Sequence, residues 1–252
     1  MGELISPLKL SIAKFQSRRS AERPVVIAKR SDGGLLLSTP LGEQLLNENP
    51  GIVKFFLNAR TTKAAAANFG DFQIERMDGS SDHHRGLWKL TIHQQHFFVK
   101  ESISSLSFNA ALQFNALLAV DSMGHPQVAA IRPYLAFSTR RTSFVVVDYA
   151  DIPSSWSGQM PYIARWALDY VYSQVKNIFN ISDIGLAANY YYDSKSSRAV
   201  VLDPCVSASL FPDAPYDGVE GVWKITKEFE NRGAFRIVES GAPQPAQSRL
   251  SA

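Results

Sequence analysis

The sequence predicts an α+β fold, with a small antiparallel sheet joined by a short linker to a reduced helical part. Three observations predict it: strand-like segments in the middle of the chain, an apolar repeat at helical spacing after three of them, and a longer helical repeat after two further strands. Strands and helices that are grouped along a chain, and do not alternate one by one, are typical of α+β folds.

The first 70 residues are interpreted as an N-terminal extension of uncertain structure. Short segments within them fit local structure, with strands at 25–29 and 35–38 and helices at 42–46 and 52–59. The Ala-rich segment 61–68 is compatible with either a helix or a linker.

Residues 71–150 are predicted to form the sheet part. Strand patterns occupy 72–77, 87–92, 96–101, 128–137 and 143–149. Between the third and fourth strands, Phe108, Ala111, Leu112 and Leu118 recur at helical spacing, and Gly124 with the residues after it ends that helix.

Residues 151–240 are predicted to form the helical part. Residues 162–180 hold the most regular helical repeat of the chain, and a small hairpin at 188–192 and 199–202 follows it. A last helix is predicted over 216–229. Residues 241–252 contain two prolines and several small polar residues, which predicts a disordered tail.

The composition is that of an ordinary globular protein, with 45% hydrophobic and 19% charged residues. A net charge of +3 is too small to indicate nucleic acid, and no apolar stretch is long enough to predict a membrane span. Cys205 is the single cysteine, so neither an intramolecular disulfide nor a cysteine metal site can form. A reducing compartment is therefore expected, either the cytoplasm or, for a secreted effector, the host cytosol.

The segment from Ile181 to Pro204 carries the strongest functional signal. It contains Asp183, then Asn189, then two short strands, and then Asp203 after the apolar run Ala199-Val200-Val201-Leu202. This order resembles the catalytic loop and metal-binding turn of protein kinases and aminoglycoside-phosphotransferase-like enzymes. The order of the predicted elements also resembles the two-lobed protein-kinase fold.

The resemblance implies an ATP- and magnesium-dependent phosphotransferase. Asp183 would be the catalytic base beside the attacking hydroxyl, and Asn189 and Asp203 would be the magnesium ligands. Carboxylate and carboxamide oxygens are the ligands that the hard Mg²⁺ ion takes.

Two details depart from the family pattern. Asp183 and Asn189 are separated by six positions where the family has five, and Ile181-Ser182 stands in place of the usual His. Asp203 is followed by Pro204-Cys205, which resembles some minimal kinases of bacteriophages and bacterial effectors.

Lys100, at the end of a predicted strand, resembles the lysine that pairs with the α- and β-phosphates of ATP. Lys89 on the preceding strand is the competing candidate. The family carries a Glu on the next helix as partner of this lysine, but residues 102–123 contain no Glu. Gln113 and Asn109 remain as uncharged hydrogen-bonding candidates, and Glu101 is expected on the opposite face of its strand.

Two further segments are assigned to nucleotide binding by the same resemblance. Gly79, Ser80 and Ser81 in a polar loop would offer backbone N–H groups to phosphate, although an ordinary hairpin loop explains them equally. Asp148 and Ala150, after a β-branched strand, would contact adenine through their backbone.

Three functions are compatible with this sequence. The first is a minimal kinase, most simply a Ser/Thr protein kinase with a protein substrate. The absent Glu and the altered spacing favour the second, a pseudokinase that acts as a binding or scaffold module. The third is an α+β interaction protein whose aspartates are structural. Since few residues follow Asp203, the usual peptide-docking platform is not predicted.

Overall fold

A computed structural model describes residues 23–31, 33–58, 66–68, 72–77, 84–103, 109–150, 152, 158–207 and 218–240. The strands are β1 (Val25–Ser31), β2 (Gly34–Ser38), β3 (Ala66–Asn68), β4 (Phe72–Met77), β5 (His84–Ile92), β6 (Gln95–Ile103), β7 (Val128–Ala130), β8 (Pro133–Thr139), β9 (Thr142–Asp148), β10 (Ile181–Ser182), β11 (Tyr190–Asp193), β12 (Arg198–Val201), β13 (Cys205–Val206) and β14 (Arg236–Glu239). The α-helices are α1 (Pro40–Glu48), α2 (Gly51–Asn58), α3 (Ala110–Ser122), α4 (Tyr162–Phe179) and α5 (Gly218–Asn231). The predicted tail, 241–252, lies outside the described residues. Among the described residues, no helix is long and apolar enough to cross a membrane.

The fold is a mixed α+β arrangement built on one nine-stranded sheet, with the strand order β14-β1-β2-β8-β9-β6-β5-β4-β3. Its pairs are antiparallel except for β1 with β14, which is parallel. The three-strand meander β4-β5-β6, the helix α3 and the pair β8-β9 occur in the predicted order.

The sheet also includes residues from the first 70, which the sequence predicted as an extension of uncertain structure. β1 and β2 form a hairpin, and β2 pairs with β8, so the sheet continues without a break across the boundary predicted at residue 70. Helices α1 and α2 follow β2, and Thr39 caps α1 by accepting a hydrogen bond from the N–H of Gly42 at 3.1 Å.

Two apolar clusters lie on opposite faces of this sheet. One contains buried residues of α3, α4 and α5, and the other contains Leu45 and Leu46 of α1 and Ile52 and Phe55 of α2. The alternation of side chains along the central strands separates them, since Val145 faces the first cluster and Val146 the second. The apolar cores are therefore divided by the sheet, and the described residues do not form a separate core for each predicted lobe.

Helix α3 is enclosed on every side. Each residue from Ala110 to Val120 is buried, because the helix packs between the sheet, α4 and α5. The Asn109 side chain caps its first turn by accepting from the N–H of Ala111 at 2.9 Å and donates to the Ser138 hydroxyl at 3.2 Å. These contacts fix the helix against the sheet.

Some elements differ from the sequence prediction for identifiable reasons. The single strand predicted over 128–137 is divided in two, because the chain leaves one sheet at Ile131 and enters the other at Pro133. β7 pairs in parallel with β12, and the N–H of Ile131 donates to the Val201 carbonyl at 2.8 Å. Within the segment predicted as helix or linker, residues 66–68 form the edge strand β3.

The last described segment returns to the sheet. α5 packs on α3, β2 and β8, and β14 pairs with β1. Residues 218–240 therefore pack against the large sheet beside β1 and β2. A buried hydrogen bond of 2.8 Å from Asn115 Nδ2 to Thr226 Oγ1 joins α3 to α5. The prediction had placed these residues in the helical part.

Candidate functional site

The loop after α4 begins at a left-handed residue. Asn180 ends α4 with φ 54°, a conformation that Asn tolerates better than most residues, and its Nδ2 donates to the Ser207 carbonyl at 2.7 Å. β10 then pairs with β13 in the register Ile181↔Val206 and Ser182↔Cys205. This short ladder brings Asp183 beside the chain that follows Asp203.

A compact turn joins Asp183 to Asn189. Asp183 has φ 65°, and its carbonyl accepts from the N–H of Leu186 at 3.2 Å and from Asn189 Nδ2 at 2.8 Å. Residues 187–189 form one turn of 3₁₀ helix, which replaces the start of the predicted strand at 188. The six-position spacing is thus accommodated by a left-handed residue followed by a tight turn.

Asn189 also connects this turn to Asp203. Its carbonyl accepts from the N–H groups of Leu202 at 2.8 Å and Asp203 at 3.4 Å, at the base of the β11–β12 hairpin. The structure therefore brings together the two aspartates and the asparagine that the sequence selected.

Lys100 reaches the same place from the large sheet. Its Nζ lies 3.1 Å from Asp203 Oδ1 and donates to the Leu202 carbonyl at 3.4 Å, with only 9% of its side chain exposed. Glu101 lies on the opposite face, as expected, where its Oε1 accepts from the Thr142 hydroxyl at 3.2 Å. The competing Lys89 lies 5.2 Å from the ring centre of Tyr149, in a cation–π contact.

Gln113 completes the group in a way that the sequence did not predict. Its Nε2 donates to Asp203 Oδ1 and, at 3.5 Å, to the Leu202 carbonyl. The sequence proposed Gln113 and Asn109 as partners of Lys100, but Gln113 bonds to the aspartate and Asn109 caps α3. A signal was present, since Gln113 is a polar residue within an otherwise largely apolar helical segment.

Cys205 borders the carboxylates. Burial raises the pKa of its thiol to about 11, and the nearby negative charges of Asp203 and Asp183 act in the same direction. A thiol in this environment stays protonated at neutral pH, so Cys205 is not an activated nucleophile.

The predicted adenine-binding segment is partly occupied by contacts within the protein. The Asp148 carboxylate accepts from the Tyr134 hydroxyl at 2.7 Å, and the Asp148 N–H donates to the Arg132 carbonyl at 3.0 Å. Burial, together with the hydrogen bond to Asp148, raises the pKa of the Tyr134 hydroxyl. The backbone N–H of Asp148 is therefore bonded within the protein, and Ala150 packs against the first apolar cluster. The contact of Asp148 and Ala150 with adenine stays a prediction.

The other predicted phosphate contacts cannot be placed. Gly79, Ser80 and Ser81 lie outside the described residues.

The gathered side chains fit a small hard cation in their chemistry. Asp183 and Asp203 supply carboxylate oxygens, and Asn189, whose Nδ2 bonds to a carbonyl, supplies its amide oxygen. Among the described residues no group of three or more His, Cys, Asp or Glu side chains could hold a metal ion, so a cation here would also need oxygens from its own ligand or from water.

Comparison with known proteins gives little independent information. No family model and no curated protein matches the sequence. Among solved structures, the chain is similar to one described as the crystal structure of BubR1 kinase domain, with 14% identity and a TM-score of 0.37. The match covers 70% of this chain and 64% of that one. At this TM-score the likeness carries no conclusion about fold or function.

Proposed function

We propose that this protein is an ATP- and magnesium-dependent phosphotransferase of a minimal protein-kinase-like fold, which acts on a hydroxyl group, most simply a Ser or Thr of a protein. The observation that carries the proposal is the ion pair between Lys100 and Asp203. The sequence selected these two residues for phosphate and magnesium binding, and they meet across the boundary between the sheet and the hairpin.

Each residue has a role in this proposal. Lys100 would bind the phosphates of ATP, and Asp203 and Asn189 would hold the cation. Asp183, in the turn fixed by Asn189, would orient the acceptor hydroxyl and take its proton. Bound Mg²⁺ would supply the positive charge that offsets the charge on the phosphate oxygens.

The Lys100–Asp203 pair has a consequence for ligand binding. Lys100 and Asp203 offset the charge of each other in this pair, so binding of a nucleotide with its cation would replace one ion pair by two. Lys100 would then contact phosphate, and Asp203 would contact the cation.

A second candidate is a pseudokinase that binds nucleotide without transferring phosphate. The uncharged Gln113 favours it, since Lys100 has no carboxylate partner on α3 to hold it when Asp203 turns to a cation.

The two candidates can be separated with purified full-length protein. The experiment compares thermal stabilisation by ATP with Mg²⁺, and transfer of labelled phosphate to generic protein acceptors or to the protein itself. Kinase activity predicts both signals in wild type, loss of transfer in Asp183→Asn, and loss of both in Asp203→Asn. Binding without transfer supports the pseudokinase, and the absence of stabilisation overturns both candidates.

A further inference from the structure

Gln113 occupies a position that a carboxylate residue could not occupy in the same way. Its amide donates to the two acceptors that Lys100 also contacts, namely Asp203 Oδ1 and the Leu202 carbonyl. A carboxylate at this position could not donate to either acceptor and would repel Asp203. The uncharged amide is therefore suited to holding the aspartate.

The helix that carries Gln113 is fixed before any ligand binds. The Ser143 hydroxyl accepts from the N–H of Ala110 at 3.0 Å, which anchors the start of α3 to β9. Asn115, two residues after Gln113, bonds to Thr226 of α5 at 2.8 Å. With its backbone held on two sides and the residue only 8% exposed, Gln113 has little freedom to follow a moving Asp203.

We infer that Gln113 is a positioning residue that holds the Asp203 carboxylate for a divalent cation. This inference rests on the proposed function and deepens it, because it assigns the orientation of the cation ligand to α3. Gln113 itself does not touch the reacting atoms. It acts by a hydrogen bond to the ligand, and loss of such supporting bonds lowers metal affinity by about 10- to 100-fold.

The test uses Mn²⁺, whose free concentration can be followed by electron paramagnetic resonance. Full-length wild type and Gln113→Met are titrated with Mn²⁺ in the presence of ADP. Gln113→Met keeps the length of the side chain but removes the donor, and it is expected to weaken Mn²⁺ binding by about 10-fold or more. Nucleotide affinity without metal is expected to change less than 3-fold.

Asn115→Ala is the matched control, since it breaks a buried hydrogen bond on the same helix without touching Asp203. It is expected to lower the melting temperature and to weaken Mn²⁺ binding much less than Gln113→Met, because it loosens α3 but leaves the amide donor to Asp203 in place. If Gln113→Met does not fold, Gln113→Leu removes the same donor with a residue of high helix propensity.

The outcomes distinguish this inference from the proposed function. Equal Mn²⁺ affinity in wild type and Gln113→Met overturns the positioning role, even if the wild type transfers phosphate. If the wild type binds Mn²⁺ with ADP but transfers no phosphate, the kinase proposal falls, while a weakened Gln113→Met still supports the positioning role. A wild type that binds neither Mn²⁺ nor ADP overturns both.

Discussion

Lys100 of β6 and Asp203, which follows β12, form an ion pair of 3.1 Å in which the lysine side chain is almost fully enclosed. The pair joins the large sheet to the small hairpin sheet. The Asp203 side chain is 30% exposed at this junction, so the pair borders solvent.

Removal of the lysine charge is expected to destabilise the folded state. Lys100→Met removes the ion pair with Asp203, and we expect a loss of about 1–3 kcal/mol in the free energy of unfolding, measured by urea denaturation. Lys89→Met is the control. It removes a lysine of the neighbouring strand whose Nζ lies over the ring of Tyr149. Equal effects of the two substitutions would contradict a specific role for the pair.

The effect of the left-handed backbone of Asp183 on stability can be measured separately from the effect of its carboxylate. Asp183→Ala places a Cβ-bearing residue without a polar side chain at φ 65°, and we expect a cost of about 1 kcal/mol in urea denaturation. Asp183→Asn and Asp183→Gly are expected to retain near wild-type stability, since Asn and Gly tolerate this conformation. If all three substitutions destabilise equally, the carboxylate and not the backbone accounts for the effect.

The reactivity of Cys205 reports on the carboxylates around it. With a pKa of about 11, the thiol is expected to react with iodoacetamide at pH 8.5 roughly 100-fold more slowly than an ordinary cysteine thiol. Since the chain has one cysteine, mass spectrometry follows this reaction directly. Asp203→Asn removes one of the charges that raise the pKa and is expected to accelerate alkylation.

The raised pKa of Cys205 also predicts the direction in which stability changes with pH. The folded state favours the protonated thiol, so the contribution of Cys205 to stability is complete below the ordinary thiol pKa of 9.0 and is lost as the pH rises towards 11. Cys205→Ser is expected to lose less stability than wild type between these pH values. A parallel decline of both proteins would show that other groups dominate.

The buried bond between Asn115 and Thr226 is expected to couple α3 to α5. Thr226→Val removes the hydroxyl that accepts from Asn115 and donates to the Val222 carbonyl at 2.7 Å, with an expected cost of about 2 kcal/mol. In a double-mutant cycle, Asn115→Leu with Thr226→Val should cost less than the sum of the single changes. Additive effects would show that the two side chains do not depend on each other.

Several features of the structure follow from local sequence patterns. The alternation in β6 places Lys100 and Glu101 on opposite faces, and the helical repeat of α4 ends at Asn180. Such patterns depend on residues close in sequence, which is why the order of strands and helices could be predicted. The group Asp183, Asn189 and Asp203 was selected instead by its resemblance to the catalytic segment of kinases.

Other features depend on contacts between distant residues and could not be predicted in this way. The pairing of β1 with β14 joins the two ends of the described chain. β7 was predicted as one strand with β8, but it pairs with β12 in the smaller sheet. Periodicity shows that a segment is a strand but does not show which strand lies beside it.

The sequence by itself selected the residues that we propose to carry the chemistry of the candidate site, because the order of its carboxylate, carboxamide and lysine side chains resembles that of protein kinases. Only the tertiary structure decided how they are paired. Gln113 could be a partner of Lys100 or of Asp203 as long as the position of α3 was unknown, and the packing of that helix between the sheet and α5 directs its amide to Asp203.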